Sequence, residues 1–243
     1  MRILRKGRET MYVWRNIQLY RSRVMLFSAL FVLAVMLLLL FTIPYTLLGI
    51  ILIPMSYLLG IYSYGKILAW ESGGVGEAQV VAQLLNLSDR FVLISNITIP
   101  PNRGDVDHIV VGPNGLFVIE VKNISGVVSC KGDEWSRQKI GRRGTPYPLE
   151  MGSPSNQVKR NAKVLKDYLL SKKKDVFVGG RSPHIWVNAI VVFTHPKVVL
   201  RLDSPTVNIL HPTELPSFIE SEGRPLFSAE EVDKIGRILA ACC

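Results

Sequence analysis

Cysteine is scarce in this chain: three residues in 243, Cys130 and the adjacent Cys242 and Cys243. So few thiols exclude a disulfide framework and fit a reducing compartment. The Cys-Cys pair also lacks a C-a-a-X arrangement. Histidine is nearly as rare, and His184, His195 and His211 each stand beside a proline with no cysteine or carboxylate at ligand spacing. That excludes a zinc site of the usual spacing. No glycine-rich phosphate loop and no nucleophile elbow occurs, which removes two large classes of phosphate and acyl chemistry. The most pronounced absence is of charge. Between Arg23 and Lys66 lie 42 residues without one charged side chain.

An uncharged stretch of that length is twice what one bilayer crossing needs, about 20 residues. Pro44, Tyr45 and Thr46 fall in its middle, so residues 24–43 and 47–64 read as two transmembrane helices in a tight hairpin. A cleaved signal peptide is the poorer reading, because the apolar run is too long and no small-residue cleavage site follows it. Residues 1–23 carry seven Lys or Arg against one acid, Glu9, which predicts a cytoplasmic N-terminal segment. Two crossings return the chain to that side, so the remainder is expected to be cytoplasmic as well. Tyr62, Tyr64 and Trp70 suit an interfacial aromatic belt at the second exit.

This division explains the net charge of +10. Residues 1–66 contribute +7 of it and residues 67–243 only +3. Most of the basic excess is therefore a topology signal and not a nucleic-acid footprint.

Beyond the apolar stretch, residues 66–75, which include Glu71, Ser72, Gly73 and Gly74, read as a short linker. Residues 76–87 show helical spacing of Val80, Val81, Leu84, Leu85 and Leu87. Glu77 in the first turn has an ordinary explanation there, since an acid complements the helix dipole. Residues 91–99 read as a strand. Residues 109–111 and 116–121 then form two apolar strands around Gly112, Pro113, Asn114 and Gly115, which favour a hairpin turn. In an antiparallel hairpin the start of one strand lies beside the end of the next, and residues i and i+2 share a face. Asp107, Glu120 and Lys122 should therefore converge at the open end. Two carboxylates suit a hard cation such as Mg²⁺ or Mn²⁺, and a lysine beside them suits work on water or phosphate. The ordinary alternative is a solvent-facing hairpin end with a cross-strand ion pair. Asp105 is expected in the preceding loop. His108 faces away from Asp107 by strand alternation, as a packed histidine.

Farther on, residues 126–137 read as one strand with Trp135 as a core or edge aromatic, and 139–152 as a loop. Residues 155–170 read as a helix with Val158, Ala162, Leu165 and Leu169 on one side. From Arg137 to Lys174 there are 11 basic residues and two acids. Arg142, Arg143, Lys159, Arg160 and Lys163 are the candidates here for contact with a nucleic-acid backbone. An anionic membrane leaflet and an ordinary solvated helix face are the competing uses, and there is no aromatic interleaving for base stacking. Residues 185–193 and 207–210 read as strands, and 215–220 and 229–242 as helices.

Gly76 and Glu77 opening a helix, Asp107-His108, the run GLFVIEVKN from Gly115, then Gly126, Trp135, Pro154 and Gln157 resemble the NERD (nuclease-related domain) family, a branch of the PD-(D/E)xK nuclease-like superfamily. The resemblance covers roughly residues 76–170. It implies a restriction-endonuclease-like α/β fold, a mixed central sheet flanked by helices, preceded here by the two membrane helices. It also implies metal ligation by Asp107 and Glu120, with Glu77 able to join them, assistance to the water by Lys122, and a site-facing Gln157. One departure is that Ser153 precedes Pro154 where the family usually has asparagine. The expected organisation is thus 1–23 basic segment, 24–65 membrane hairpin, 66–75 linker and 76–243 nuclease-like domain. The expected activity is metal-dependent hydrolysis of DNA or RNA, and the alternative is a catalytically silent, membrane-tethered module that binds nucleic acid or protein.

Overall fold

The computed structural model describes residues 1–5, 9–39, 43–101, 104–141, 144–177, 184–222 and 225–242, with the side chains of residues 5 and 9–13 left aside. Two compact units result: Arg8–Gly74, and a second that joins Met1–Gly7 to Val75–Cys243.

The first unit holds α1 (Glu9–Leu39) and most of α2 (Ile43–Leu84). Both are long and apolar enough to cross a membrane, and only 6% and 17% of their apolar windows are buried within the molecule. A core helix of a water-soluble protein would hide such side chains. The two helices run antiparallel: Gly49 lies so close to α1 that an added Cβ would meet the Ala34 carbonyl oxygen at 2.8 Å. Near the other end Arg21 donates to Glu71 at 3.2 Å. Pro44 does not sit in the connection as expected. It occupies the first turn of α2, where a residue without an N–H is tolerated because that donor has no intrahelical partner anyway. Residues 66–74 are helical too, so the expected linker is a continuation of α2. The glycines there lower helix propensity by about 1 kcal/mol each, but nothing interrupts the hydrogen-bonded ladder.

In the second unit the order is β1 (Arg2–Arg5), the end of α2, β2 (Val92–Thr98), β3 (Asp105–Gly112), β4 (Gly115–Lys122), β5 (Gly126–Lys131), β6 (Glu134–Ile140), β7 (Pro146–Leu149), α3 (Pro154–Ser171), α4 (Lys173–Val176), β8 (Val187–Phe193), β9 (Val198–Asp203), β10 (Asn208–Leu210), a 3-10 turn at Pro212–Glu214, α5 (Leu215–Ser221) and α6 (Ala229–Ala240). A six-stranded mixed sheet has the order β1-β2-β3-β4-β8-β10, and a smaller sheet β7-β6-β5-β9. The 126–137 region is therefore two strands and not one. The prolines that marked 139–152 as loop stand in β7, an edge strand, where a missing donor costs no ladder bond on the open side.

β1 is the main surprise, because the basic N-terminal segment supplies a strand. Arg2 and Ile3 pair in parallel with Val92 and Leu93, and Arg2 forms an ion pair with Asp233 of α6 at 2.6 Å. One face of the large sheet buries Val92, Ile94, Ile109, Val111 and Val118 with α3 and α6, and the other buries Leu93, Val110, Phe117 and Ile119 with Val80 and Leu84 of α2. Helices therefore cover both faces of the central strands, which explains why β3 and β4 read as near-continuous apolar runs.

α3 positions half of the candidate site. Ser153 is its N-cap, accepting the Asn156 N–H at 3.2 Å, and Pro154 takes the first turn. Serine thus performs the capping that an asparagine would. Val158, Leu165 and Leu169 are fully buried against the sheet. Truncating one of them, Leu165→Ala, costs about 2–5 kcal/mol.

A candidate active site at the open end of the hairpin

β3 and β4 pair antiparallel with His108 opposite Ile119 and Gly112 opposite Gly115. That register brings Asp107 beside the end of β4, where its Oδ2 accepts the Val121 N–H at 2.7 Å. Lys122 Nζ donates to Glu120 Oε1 at 2.5 Å and to Gln157 Oε1 at 3.3 Å. Gln157 arrives from the first turn of α3, so the ion pair is bridged from strand to helix. The convergence of Asp107, Glu120, Lys122 and Gln157 matches the expectation.

Glu77 approaches from α2. Its neighbour Gly76 packs where a Cβ would meet the Asn123 Cβ and the Thr194 Oγ1 at 2.7 Å each, so a larger residue would push the helix off the strand ends. Glu77 Oε2 accepts from Asn96 Nδ2 at 3.4 Å. Its charge is near enough to raise the pKa values of both Asp107 and Glu120.

The electrostatics are unfavourable by themselves. Burial, first, and then the neighbouring Glu120 carboxylate push the Asp107 carboxyl up to about 8. Burial also raises Glu120, against the opposing pull of Lys122 and, more weakly, Arg160. Glu120 is 2% exposed, and its Oε2 is buried with no hydrogen-bond partner. A buried carboxylate oxygen left without a partner costs about 1–3 kcal/mol or more. A hard dication would satisfy the orphaned oxygen and cancel the repulsion together, so the donor set fits Mg²⁺ or Mn²⁺. Among the described residues no group of three or more His, Cys, Asp and Glu side chains is arranged to hold a metal ion. The fit is therefore to an ion that keeps waters, and not to a closed protein cage.

The basic residues divide. Arg142 and Arg143 lie outside the described residues. Lys159 donates to Asp133 at 2.6 Å and to Thr206 at 2.9 Å, so its charge is engaged locally. Arg160 and Lys163 instead line a groove of about 480 Å³ with Pro100, Pro101, Asp167 and Tyr168. Asp105 opens β3 and is bonded to Thr98, so it is a strand residue and not a loop residue. His108 is 1% exposed, with Nδ1 2.9 Å from Ser95 Oγ, and burial lowers its pKa to about 4. It is a packed neutral histidine, as strand alternation implied. Trp135 is half-buried, stacks on Phe193 and donates to Ser155. Two residues were missed by sequence reading, Asn96 and Thr194, both with buried oxygens that lack a partner. An asparagine in the middle of an apolar strand was the available signal for the first, since strands are depleted in it.

A mixed sheet covered by helices, with acids, a lysine and a glutamine gathered at one strand end, defines a nuclease-like α/β domain. Residues 72–194, about half of the chain, match the family model of NERD, the nuclease-related domain, and the chain belongs to that family. A Streptomyces coelicolor protein described as the probable kinase PglW is 29% identical over 133 residues. That match takes in 54% of this chain but only 8% of the relative's length. No solved structure matches.

Proposed function

We propose that this protein is a membrane-anchored, metal-dependent nuclease that hydrolyses phosphodiester bonds of DNA or RNA at the cytoplasmic face. The observation that carries the reading is the Asp107–Glu120–Lys122 cluster: two carboxylates buried at the end of apolar strands, one with an unsatisfied oxygen, beside an ammonium held by Glu120 and Gln157. Their desolvation is costly unless they bind something.

Asp107 and Glu120 would hold Mg²⁺ or Mn²⁺, with Glu77 beside them. A cation so placed supplies positive charge to a scissile phosphate and lowers the pKa of a bound water. The Val121 N–H fixes the Asp107 carboxylate, leaving its other oxygen for the site. Lys122, 26% exposed on its side chain and bonded on two sides, presents its remaining donor to an incoming water or phosphate oxygen. Gln157 accepts a second, longer hydrogen bond from that ammonium and so helps to orient it. Arg160 and Lys163 border the groove beside α3, where a nucleic-acid backbone would run without sequence readout.

The anchoring rests on α1 and α2. Residues before α1 and after α2 pair in one sheet, β1 with β2. A membrane crossed by α1 must therefore be crossed back by α2. The basic residues ahead of α1 favour the cytoplasmic side.

A second reading, a silent tethered binding module, is favoured by the lack of a three-residue ligand cluster among the described residues. Cleavage by the full chain in detergent, with Mn²⁺ or with EDTA, decides between them. Metal-dependent cutting lost in Glu120→Gln supports the nuclease, and a folded, metal-loaded protein that cuts no nucleic acid supports the silent module.

A further inference from the structure

We infer that Asn96 is an additional oxygen donor of this site, supplying its side-chain carbonyl to the cation while its amide nitrogen holds Glu77. The inference rests on the metal-site reading above. Three observations converge on the residue. Ser95 pairs with His108 and Ile97 with Val106, which brackets Asn96 directly opposite Asp107. Its Nδ2 donates to Glu77 Oε2 at 3.4 Å, which orients the amide so that Oδ1 is turned away from that acid. Oδ1 is buried and has no hydrogen-bond partner.

The backbone adds a fourth. Asn96 has φ 58°, one of two left-handed non-glycine residues among the described ones, and it lies within a strand whose neighbours Ser95 and Ile97 are buried. Asparagine tolerates that conformation better than most residues, yet it still costs of order 1 kcal/mol and persists only where the surroundings hold it. Neutral amide oxygens are ordinary ligands for hard dications. With Asp107 and Glu120 they complete a mixed donor set without adding a further negative charge to carboxylates that Glu77 already repels. This also accounts for the absence of a cluster of three acids among the described residues: one of the protein oxygens is an amide.

The test is Mn²⁺ binding to the full chain in detergent, by calorimetry and by the loss of the free-ion electron-spin signal, with unfolding temperature in EDTA as the folding control. Asn96→Gly removes the side chain at a φ that glycine accepts freely, so it should fold and bind Mn²⁺ about tenfold or more weakly. Asn96→Asp keeps an oxygen, tolerates the backbone and loses the amino donor, so it should retain at least the parent affinity. Parent affinity in Asn96→Gly, alongside lost binding in Glu120→Ala, would overturn the inference while leaving the metal site intact. Weakened binding in Asn96→Asp would also overturn it, because the residue would then act only by holding Glu77. Absence of Mn²⁺ binding in the parent overturns the site reading, and this inference with it.

Discussion

Two lysine–carboxylate pairs of nearly identical length have opposite electrostatics. Lys122 meets Glu120 at 2.5 Å and Lys159 meets Asp133 at 2.6 Å. Asp133 is about one-third exposed and accepts from Lys159, Ser155 and Thr206, which hold its carboxyl down at about 2. Glu120 is almost wholly buried, and its desolvation overcomes the same lysine interaction and raises it. The Asp133 pair is a clip that fastens α3 to the β5–β6 turn. The Glu120 pair is an unfinished arrangement with one oxygen unmatched. Length alone does not tell a structural ion pair from a site; burial and the count of satisfied oxygens do.

The largest expected effect lies in breaking both pairs by the same chemistry. Glu120→Gln should lower metal-dependent cleavage by more than about 10³-fold, whereas Asp133→Asn should leave it within about twofold and cost about 0.5 kcal/mol of stability. Initial rates on plasmid and RNA, with denaturant unfolding of each variant, make the comparison. Next, Lys122→Met should reduce the rate by about 10²–10⁴-fold while Mn²⁺ affinity is retained, whereas Lys159→Met should change stability only. An unaltered rate in the Lys122 variant would remove lysine from the mechanism.

The pH dependence sharpens the contrast. A carboxyl raised from its ordinary 3.8 to about 8 keeps its proton in the folded state over that window. The folded protein then binds more protons than the unfolded chain, so this group stabilises fully below about pH 4 and loses that contribution as pH rises through 8. Metal-free Asp107→Asn should therefore unfold at a higher temperature than the parent at pH 8, with the difference vanishing near pH 4. Added Mn²⁺ should stabilise the parent and not this variant. A parent unfolding temperature independent of pH from 5 to 8 in EDTA would contradict the electrostatic argument. The smallest effect is expected from Arg160→Ala and Lys163→Ala, each weakening nucleic-acid binding a few-fold and reducing the salt slope by about one. Lys159→Ala should leave that slope unchanged, as read by binding titrations at several salt concentrations.

The convergence of Asp107, Glu120 and Lys122 was legible because the hairpin's geometry is local. An apolar hairpin with an obligate turn sets its own register, and the register alone brings Asp107 to Glu120 and Lys122. What lay beyond reach depended on distant partners. Nothing in four residues around Ile3 signals a strand until β2 offers an open edge, where Ile3 meets Leu93, 90 residues later. β7 looked like loop because its prolines are tolerated only at an edge, and edges belong to the sheet and not to the segment. Lys159 looked available because Asp133 meets it only in the folded chain. Asn96 stood out as an asparagine within an apolar strand, but its place across from Asp107 is set only by the β2–β3 register.

β1 also dictates how the central claim is tested. A fragment beginning at Glu71 would lack that strand and its Arg2–Asp233 ion pair, so the full chain in detergent is the proper sample. The decisive measurement is Mn²⁺ affinity of the parent and of Glu120→Gln, taken together with cleavage of labelled DNA and RNA by the same two preparations. Binding and cutting by the parent, both lost in the variant, are the predicted result. A folded parent that binds no divalent cation would contradict the account.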